Sequence, residues 1–164
     1  MKNIFMIAAV SDKTYAIGNR GELIFHIKED LEFFRSMTLN NTVVMGYKTY
    51  MSLPVRPFKN RNNIVLTRND RILPGTTVMK SADEVLDYAN KSPKEKIFIC
   101  GGEEIYKLFM PYADILYITE ISENNPIVAD AFFPNIDNTW KVDYASEKKY
   151  CRDLSYIFKT YVRV

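Results

Sequence analysis

The chain has 164 residues, with 22 Lys and Arg against 20 Asp and Glu and a single histidine, which gives a formal net charge of +2. This length suits one domain over residues 1–164, and 47% apolar with 26% charged residues is typical of a globular protein and excludes a disordered chain. So small a net charge, without a basic run, argues against nucleic-acid binding.

The cysteine count and the lengths of the apolar runs indicate the compartment and argue against a membrane protein. Cys100 and Cys151 form no close-spaced motif, so neither a Cys/His zinc site nor a disulfide framework is expected, and a reducing, cytoplasmic compartment is favoured. The apolar run at 4–10 is far shorter than the roughly 20 residues that a membrane-spanning helix needs. A buried first strand explains that run, and no membrane partner is expected.

Strand and helix patterns alternate along the chain. In order, they predict a strand over 4–10, a helix over 27–37, strands over 42–46, 63–67 and 76–80, a helix over 82–89, a strand over 96–100, a helix over 103–110, a strand over 114–121, and two longer strands within 140–164 separated by 146–153. Ser81 and Glu84 form a capping box before the second helix, and Pro111 stops the third.

This alternation indicates an α/β fold. We expect a central, mostly parallel twisted sheet of about eight strands with an antiparallel C-terminal edge, flanked by about four helices. In such sheets ligands bind at the carboxyl ends of the strands. We therefore expect the functional site at residues 8–10, 45–49, 66–68 and 100–104.

Asp30 falls on the apolar stripe of the predicted 27–37 helix, three residues after Ile27 and four before Phe34. A carboxylate in such a position costs free energy unless something pairs with it. The helix dipole also favours an acid in the first turn. The pattern therefore leaves two interpretations: a solvated residue at the edge of the stripe, or a desolvated carboxylate of raised pKa that binds a cationic or amidine-like ligand.

A strand, two glycines and a helix follow one another around Gly101-Gly102. Glycines let a backbone approach a ligand, and a helix start attracts anions such as a pyrophosphate. The third glycine of the dinucleotide motif and the lysine of a P-loop are missing, and Glu103 and Glu104 already satisfy the helix dipole. A tight strand-to-helix turn is the alternative interpretation.

Basic and hydroxyl groups follow the ends of neighbouring predicted strands. Lys48 and Thr49 come after Gly46 at a predicted helix start, Arg68 follows the 63–67 strand, and Lys80 ends the next one. Three cations on one rim would suit an adenosine 2′-phosphate and hence NADPH. Solvated surface cations are the alternative.

Short motifs run through the whole chain in a definite order. They are Ile7-Ala8-Ala9, Ala16-Ile17-Gly18-Asn19, Asp30 with Phe34, Thr38, Val44-Met45-Gly46 with Lys48-Thr49, Arg61 before the strand at Ile64, Gly101-Gly102 with Ile105-Tyr106, Tyr117-Ile118-Thr119, and Asp130 before Phe132-Phe133-Pro134. Each motif is common alone, but their joint order and spacing resemble the dihydrofolate reductase family, of the bacterial type, nearly end to end.

The resemblance implies a catalytic set of Asp30, Phe25 and Thr119. Asp30 would bind the pterin's 2-amino group and N3, with Thr119 hydrogen-bonded to it. Phe25 stands in the lid, where the family often has tryptophan. The implied substrate-binding residues are Ile7, Ala8, Asp30, Leu31, Phe34, Leu53, Arg56, Phe58, Arg61, Cys100, Tyr106 and Thr119.

Three of these residues have specific implied contacts. Ile7 and Cys100 would offer backbone carbonyls to the pterin ring, and Arg61 would grip the α-carboxylate of the glutamate tail with a bidentate pair.

The segment 17–23 would be the mobile lid over the nicotinamide. The implied cofactor-binding residues are Ala9, Ile17, Asn19, Leu23, Gly46, Tyr47, Lys48, Thr49, Leu66, Thr67, Arg68, Lys80, Cys100, Gly101, Gly102, Glu103, Glu104, Ile105, Tyr106 and Asp130.

The implied reaction is the NADPH-dependent reduction of 7,8-dihydrofolate to 5,6,7,8-tetrahydrofolate, by hydride transfer to C6 and protonation at N5. Its product would feed one-carbon metabolism and thymidylate synthesis. The expected ligands are dihydrofolate, NADPH and antifolate inhibitors, without a metal, and the expected state is a monomer. Two alternatives stay open: a related pterin or pyrimidine reductase, and a non-catalytic nucleotide-binding module.

Overall fold

The structure, a computed structural model, describes residues 3–164. Numbered in chain order, its strands are β1 (Ile4–Ser11), β2 (Ala16–Asn19), β3 (Glu22–Leu23), β4 (Thr42–Gly46), β5 (Asn62–Leu66), β6 (Thr76–Met79), β7 (Ile97–Ile99), β8 (Ile115–Glu123), β9 (Ala131–Phe132), β10 (Trp140–Ala145), β11 (Lys149–Cys151) and β12 (Leu154–Arg163). Its α-helices are α1 (Lys28–Thr38), α2 (Tyr47–Ser52), α3 (Ala82–Lys91) and α4 (Glu103–Phe109), and a 3₁₀ turn covers Met110–Tyr112.

One large sheet organises the molecule, in the strand order β10-β12-β8-β1-β7-β4-β5-β6, with β11 paired to β12. The pairs from β8 through β1, β7, β4 and β5 to β6 are parallel, whereas β12 is antiparallel to β8, β10 and β11. The predicted fold class, a mostly parallel sheet with an antiparallel C-terminal edge, is confirmed.

The sheet has a separate apolar core on each face because side chains alternate along every strand. In β1, Ile4 and Met6 join the cluster that contains Val85 of α3 and Phe109 of α4. Phe5 and Ile7 join the opposite cluster, which includes Tyr50 of α2 and against which α1 packs. The helices therefore cover both faces, as the continuous apolar strand runs indicate.

The segment expected to be a lid loop, 17–23, is instead a hairpin. Strands β2 and β3 pair with each other, and β2 also pairs with β9 in a second, three-stranded sheet. The hairpin turns at Arg20 and Gly21, whose φ angles of 52° and 79° suit a two-residue turn of the primed type. We name the three strands β2, β3 and β9 the lid sheet.

Two further local predictions need correction. The stretch 146–153, predicted as a separator, contains β11, which pairs with β12. The Ser81 hydroxyl does accept from the Glu84 N–H at 3.3 Å, but the Glu84 carboxylate accepts from the Lys80 N–H at 2.9 Å. The acid thus satisfies an amide one residue before the cap, rather than that of the cap itself.

Candidate active site

Asp30 lies in the first turn of α1, where Ile27 provides no side-chain cap and the helix dipole favours an acid. The Thr119 hydroxyl, on the neighbouring face of β8, donates to its Oδ1 at 2.6 Å. Burial raises the pKa of Asp30, and the Thr119 hydrogen bond partly opposes that effect. Thr119 itself is only 2% exposed. Of the two interpretations left open by the sequence, the half-buried position and the raised pKa favour the desolvated carboxylate, and its binding of a ligand stays a prediction.

An apolar wall follows Asp30 along α1. The Phe34 ring lies one helical turn further on and packs against the Phe58 ring, with centroids 5.5 Å apart. Both rings and Leu53 pack on the core cluster of this face. Leu31, predicted for the same apolar stripe, is instead 48% exposed.

Arg61 lies at the far end of α1 from Asp30. Its Nη1 donates to the Thr38 hydroxyl at 3.1 Å and its Nε to the Lys59 carbonyl at 2.9 Å, while the guanidinium lies 4.6 Å from the centre of the Phe58 ring. These contacts fix the plane of the guanidinium. Thr38, which the sequence showed as a motif without a role, is therefore a residue that orients Arg61.

Main-chain groups at the ends of β1 and β7 flank the wall. The buried Tyr106 hydroxyl donates to the Ile7 carbonyl at 2.7 Å, so this carbonyl keeps one further lone pair. The Cys100 N–H donates to the Val44 carbonyl at 2.9 Å. Burial raises the pKa of the Cys100 thiol to about 12, so the thiol stays protonated at neutral pH and packing is its role.

Phe25 is buried, 8% exposed, and belongs to an apolar cluster with Ile27, Ile121 and Tyr156, against which Ala9 packs. Its ring has no hydrogen-bonding atom. The structure therefore shows Phe25 as a packing residue, and its predicted catalytic role stays a prediction.

The glycine turn, Gly101-Gly102, lies close to the end of β4 and to the starts of α2 and α4. The Gly46 N–H at the end of β4 donates to the Gly101 carbonyl at 2.9 Å. A Cβ at Gly46 would lie 3.1 Å from Ile105, and one at Gly102 would lie 3.2 Å from the Thr49 hydroxyl. Gly101 has φ +112°, which excludes other residues without strain. The two glycines thus form a tight turn that packs against the starts of α2 and α4, and binding of a cofactor there stays a prediction.

The predicted basic rim contains an additional cation. Arg71 stacks on Tyr47, with its guanidinium carbon 3.8 Å from the ring centre. Lys48 and Arg68 are exposed, and Lys80 forms an ion pair with Asp70. Arg71 was missed because only the fold of the 68–75 loop brings it onto Tyr47, and no spacing in the sequence signals that contact.

Glu103 and Glu104 differ, although they are adjacent in the first turn of α4. The Glu103 side chain is 24% exposed, its Oε2 pairs with Lys107 at 2.7 Å, and its Oε1 accepts from the Phe132 N–H of β9 at 2.7 Å. These contacts, the Lys107 contact most of all, lower the pKa of Glu103. The Glu104 side chain is 86% exposed.

The other predicted site residues fall into three places. Arg56 is exposed beyond α2, and its guanidinium donates to the Met51 carbonyl at 2.8 Å. Ile17, Asn19, Leu23 and Asp130 belong to the lid sheet or its connections, where the Asp130 carboxylate accepts from the Arg20 N–H at 3.1 Å. The carboxyl ends of the parallel strands hold Ala8, Ala9, Leu66 and Thr67.

Residues 3–164 contain neither a membrane-spanning helix nor a cluster of metal-ligating side chains. None of the helices there has the length and apolar character needed to cross a membrane. Within the same residues, no three or more His, Cys, Asp or Glu side chains are placed to hold a metal ion together.

Known proteins resemble this chain over nearly its whole length. The sequence model described as "Dihydrofolate reductase" matches residues 3–163. The dihydrofolate reductase of Neisseria meningitidis is 39% identical over 166 residues, which cover 99% of each chain. That of Bacillus subtilis is 38% identical over 133 residues, covering 80% of this chain and 76% of the relative.

A solved structure is similar over almost the same extent. It is the dihydrofolate reductase of Enterococcus faecalis, in complex with NADP(H) and the compound RAB-propyl. Its TM-score is 0.87 at 34% sequence identity, covering 98% of this chain and 96% of that one.

Proposed function

This chain belongs to the dihydrofolate reductase family, and on that premise we propose which of its residues carry out each part of the family's reaction. It is an oxidoreductase that uses NADPH to reduce 7,8-dihydrofolate to 5,6,7,8-tetrahydrofolate, with hydride added at C6 and a proton at N5.

One observation carries the substrate assignment: α1 presents an acid, an aromatic wall and a cation in that order. Asp30 lies in its first turn, Phe34 one turn later, and Thr38, which holds Arg61, at its end. From Asp30 to Thr38 the helix rises about 12 Å. Dihydrofolate carries an amidine-like pterin edge, a benzoyl ring and a glutamate carboxylate in the matching order.

Asp30 binds the 2-amino group and N3 of the pterin, while the Thr119 hydroxyl donates a hydrogen bond to the Asp30 carboxylate. The cationic or strongly polar edge of the substrate favours the charged carboxylate, which offsets the cost of its burial. Because that negative charge lies close to the ring, it also favours a proton at N5, and water delivers this proton. Asp30 need not touch N5 itself.

Arg61 binds the α-carboxylate of the glutamate tail. The Thr38 hydroxyl and the Lys59 carbonyl take up two of its N–H groups, so its remaining N–H groups keep a fixed direction. A guanidinium held in this way forms a bidentate pair at less entropic cost than a free side chain. Phe34, Phe58 and Leu53 enclose the benzoyl ring and exclude water from the pair.

The glycine cradle fits NADPH. Gly46, Gly101 and Gly102 let the starts of α2 and α4 come close together, and the N–H groups of those helix starts bind the pyrophosphate. Lys48, Arg68 and Lys80 hold the 2′-phosphate, and Arg71, stacked on Tyr47, adds a guanidinium to that rim. When bound, NADPH supplies the hydride. Ala9 and Ile17 flank its nicotinamide and keep water out.

The wider setting follows from the family and the chain. We propose that the chain acts as a single-domain monomer in the cytoplasm, where its product serves one-carbon metabolism and thymidylate synthesis. Because the relative from Enterococcus faecalis binds a further compound beside NADP(H), we expect antifolates to compete with dihydrofolate at Asp30.

The test is loss of NADPH absorbance on addition of dihydrofolate to the purified protein. Turnover with NADPH, slower with NADH, is the expected result. A dihydropterin without the glutamyl tail should show a raised KM, because it lacks the group that Arg61 binds. Turnover of a ribosylated aminopyrimidine in place of dihydrofolate, or no turnover at all, would refute the assignment.

A further inference from the structure

The Glu103 side chain joins the glycine turn to the lid sheet. Glu103 is the residue directly after Gly102, and its Oε1 accepts from the Phe132 N–H at 2.7 Å. The two residues are 29 positions apart in the chain. A carboxylate that accepts from a backbone amide forms one of the stronger hydrogen bonds in proteins.

This contact differs from an ordinary surface ion pair. The second oxygen of Glu103 pairs with Lys107 four residues later, and that pair alone would satisfy an acid in the first turn of a helix. The Glu103 side chain is also much less exposed, at 24%, than the Lys107 side chain, at 54%. Its Oε1 is directed at the Phe132 N–H of β9, in a hydrogen bond that lies at the protein surface.

Strand β9 pairs in turn with β2, the strand that in the proposed function covers the nicotinamide. Ala131 and Phe132 pair with Gly18 and Ala16 of β2, on either side of Ile17. The Phe133 N–H donates to the Tyr15 carbonyl at 2.8 Å, immediately before β2. A displacement of the glycine turn thus reaches Ile17 through one side chain and one strand pairing.

We propose that Glu103 is a positioning residue that couples the glycine turn, and the NADPH held there, to the lid sheet. The coupling rests on the proposed function, because it takes the glycine turn as the cofactor site. It holds the lid closed over the nicotinamide while the pyrophosphate occupies the turn. It therefore slows NADPH release and keeps Ile17 in place for hydride transfer.

The test uses Glu103→Ala, with Asp87→Ala as the matched control. Asp87 forms an i,i+4 pair with Lys91 at 2.8 Å on α3, so this control removes a similar surface ion pair elsewhere. For Glu103→Ala we expect NADPH to dissociate about tenfold faster, because one charge-assisted hydrogen bond is lost. Amide exchange at 16–19 and 130–133 should also accelerate. The control should leave both quantities within twofold of the wild type.

Two further variants separate the tether from a general loss of structure. Glu103→Gln keeps a neutral acceptor for the Phe132 N–H and should limit the rise in the NADPH dissociation rate to about threefold, whereas Lys107→Met removes only the ion pair and should change that rate less than twofold. If Glu103→Ala does not fold, Glu103→Gln still predicts a rise of about threefold in that rate. Wild-type NADPH dissociation and wild-type amide exchange at Phe132 in the alanine variant, or in the glutamine variant where alanine does not fold, would overturn the coupling.

The amide-exchange readout does not depend on catalysis. Accelerated exchange at 130–133 in the cofactor-free Glu103→Ala protein would support the tether even if the wild type failed to reduce dihydrofolate. Normal turnover by the wild type with unchanged exchange in the variant would retain the proposed function and remove the coupling.

Discussion

At the scale of single residues, the site depends on a carboxylate kept in a place that disfavours its charge. Asp30 is desolvated against the apolar side of α1, and the Thr119 hydroxyl is its neighbour. The free-energy cost of desolvating this charge is offset only when a complementary ligand binds. This explains why a residue that lowers stability is retained on a packed helix.

Stability should therefore rise when Asp30 becomes neutral. Because folding raises its pKa above the ordinary value of 3.8, its contribution to stability is greatest below that pH and is lost as the pH rises through the folded pKa. The penalty for the charged carboxylate therefore grows as the pH rises above 3.8. Asp30→Asn should increase the free energy of unfolding in urea by about 1 kcal/mol at pH 7, and by much less near pH 4. An unchanged or lower value at pH 7 would contradict the raised pKa.

Residue-level prediction from sequence succeeded where a pattern pointed to a side chain and failed where a contact is non-local. Asp30 was visible because an acid interrupted an apolar stripe. The Thr119 bond joins residues 89 positions apart, and only the resemblance to a family suggested it. Arg71 on Tyr47 had no signal of either kind, since a flexible loop residue finds its partner only in the folded chain.

At the scale of elements, the glycine turn is the connection on which the cofactor half of the site depends. It is the point where β7 ends, α4 begins and β4 approaches most closely. The three glycines serve different purposes there: Gly46 and Gly102 give space, whereas Gly101 also adopts a φ of +112°.

Substitutions at the two turn glycines should consequently differ in stability. Gly101→Ala places a side chain at a strained φ, 3.1 Å from the buried Tyr106 ring, and should cost about 1–3 kcal/mol. Gly102→Ala meets only the end of the Thr49 side chain, which can rotate away, and should cost less than about 1 kcal/mol. Urea unfolding without cofactor measures both. Equal costs would show that the backbone angle at Gly101 is not the constraint.

The long elements were predictable, and the short ones were not. The buried strands and α1, α3 and α4 follow from apolar runs, spacing and a capping serine, with ends correct to within about two residues. The lid sheet was missed because β3 and β9 have two residues each, and β2 pairs with a strand more than a hundred positions later. Its one local signal was Gly21, which marks the hairpin turn.

At the scale of the whole molecule, the sheet places the two halves of the site on a common edge. The parallel strands all end on the side where α2 and α4 begin, so the glycine turn, which follows β7, lies at the same edge as Thr119 of β8 and its partner Asp30 of α1. Strand and helix alternation predicted this arrangement, since parallel strands need helical crossovers. It did not predict which groove holds which ligand, because that depends on side chains.

Cofactor choice is a property of the whole folded chain and is measurable by its thermal stability. At 100 times its Kd, NADPH should add about 2.7 kcal/mol to the free energy of unfolding, which raises the Tm by about 5–10 °C for a chain of this size. NADH at the same concentration should raise it less, because Lys48, Arg68, Arg71 and Lys80 gain no phosphate. The difference should shrink in 1 M salt, by screening. Equal shifts with both cofactors would contradict the 2′-phosphate rim.

The central claim, that a buried carboxylate at position 30 drives reduction of the pterin, is tested most directly by the turnover of Asp30→Asn across pH. We predict that its kcat at pH 7 is lower than that of the wild type by at least about 100-fold, with NADPH affinity unchanged. Its rate should rise by about tenfold for each unit that the pH falls, as bulk acid comes to protonate N5. A variant that reduces dihydrofolate at close to the wild-type rate at pH 7 would contradict the account.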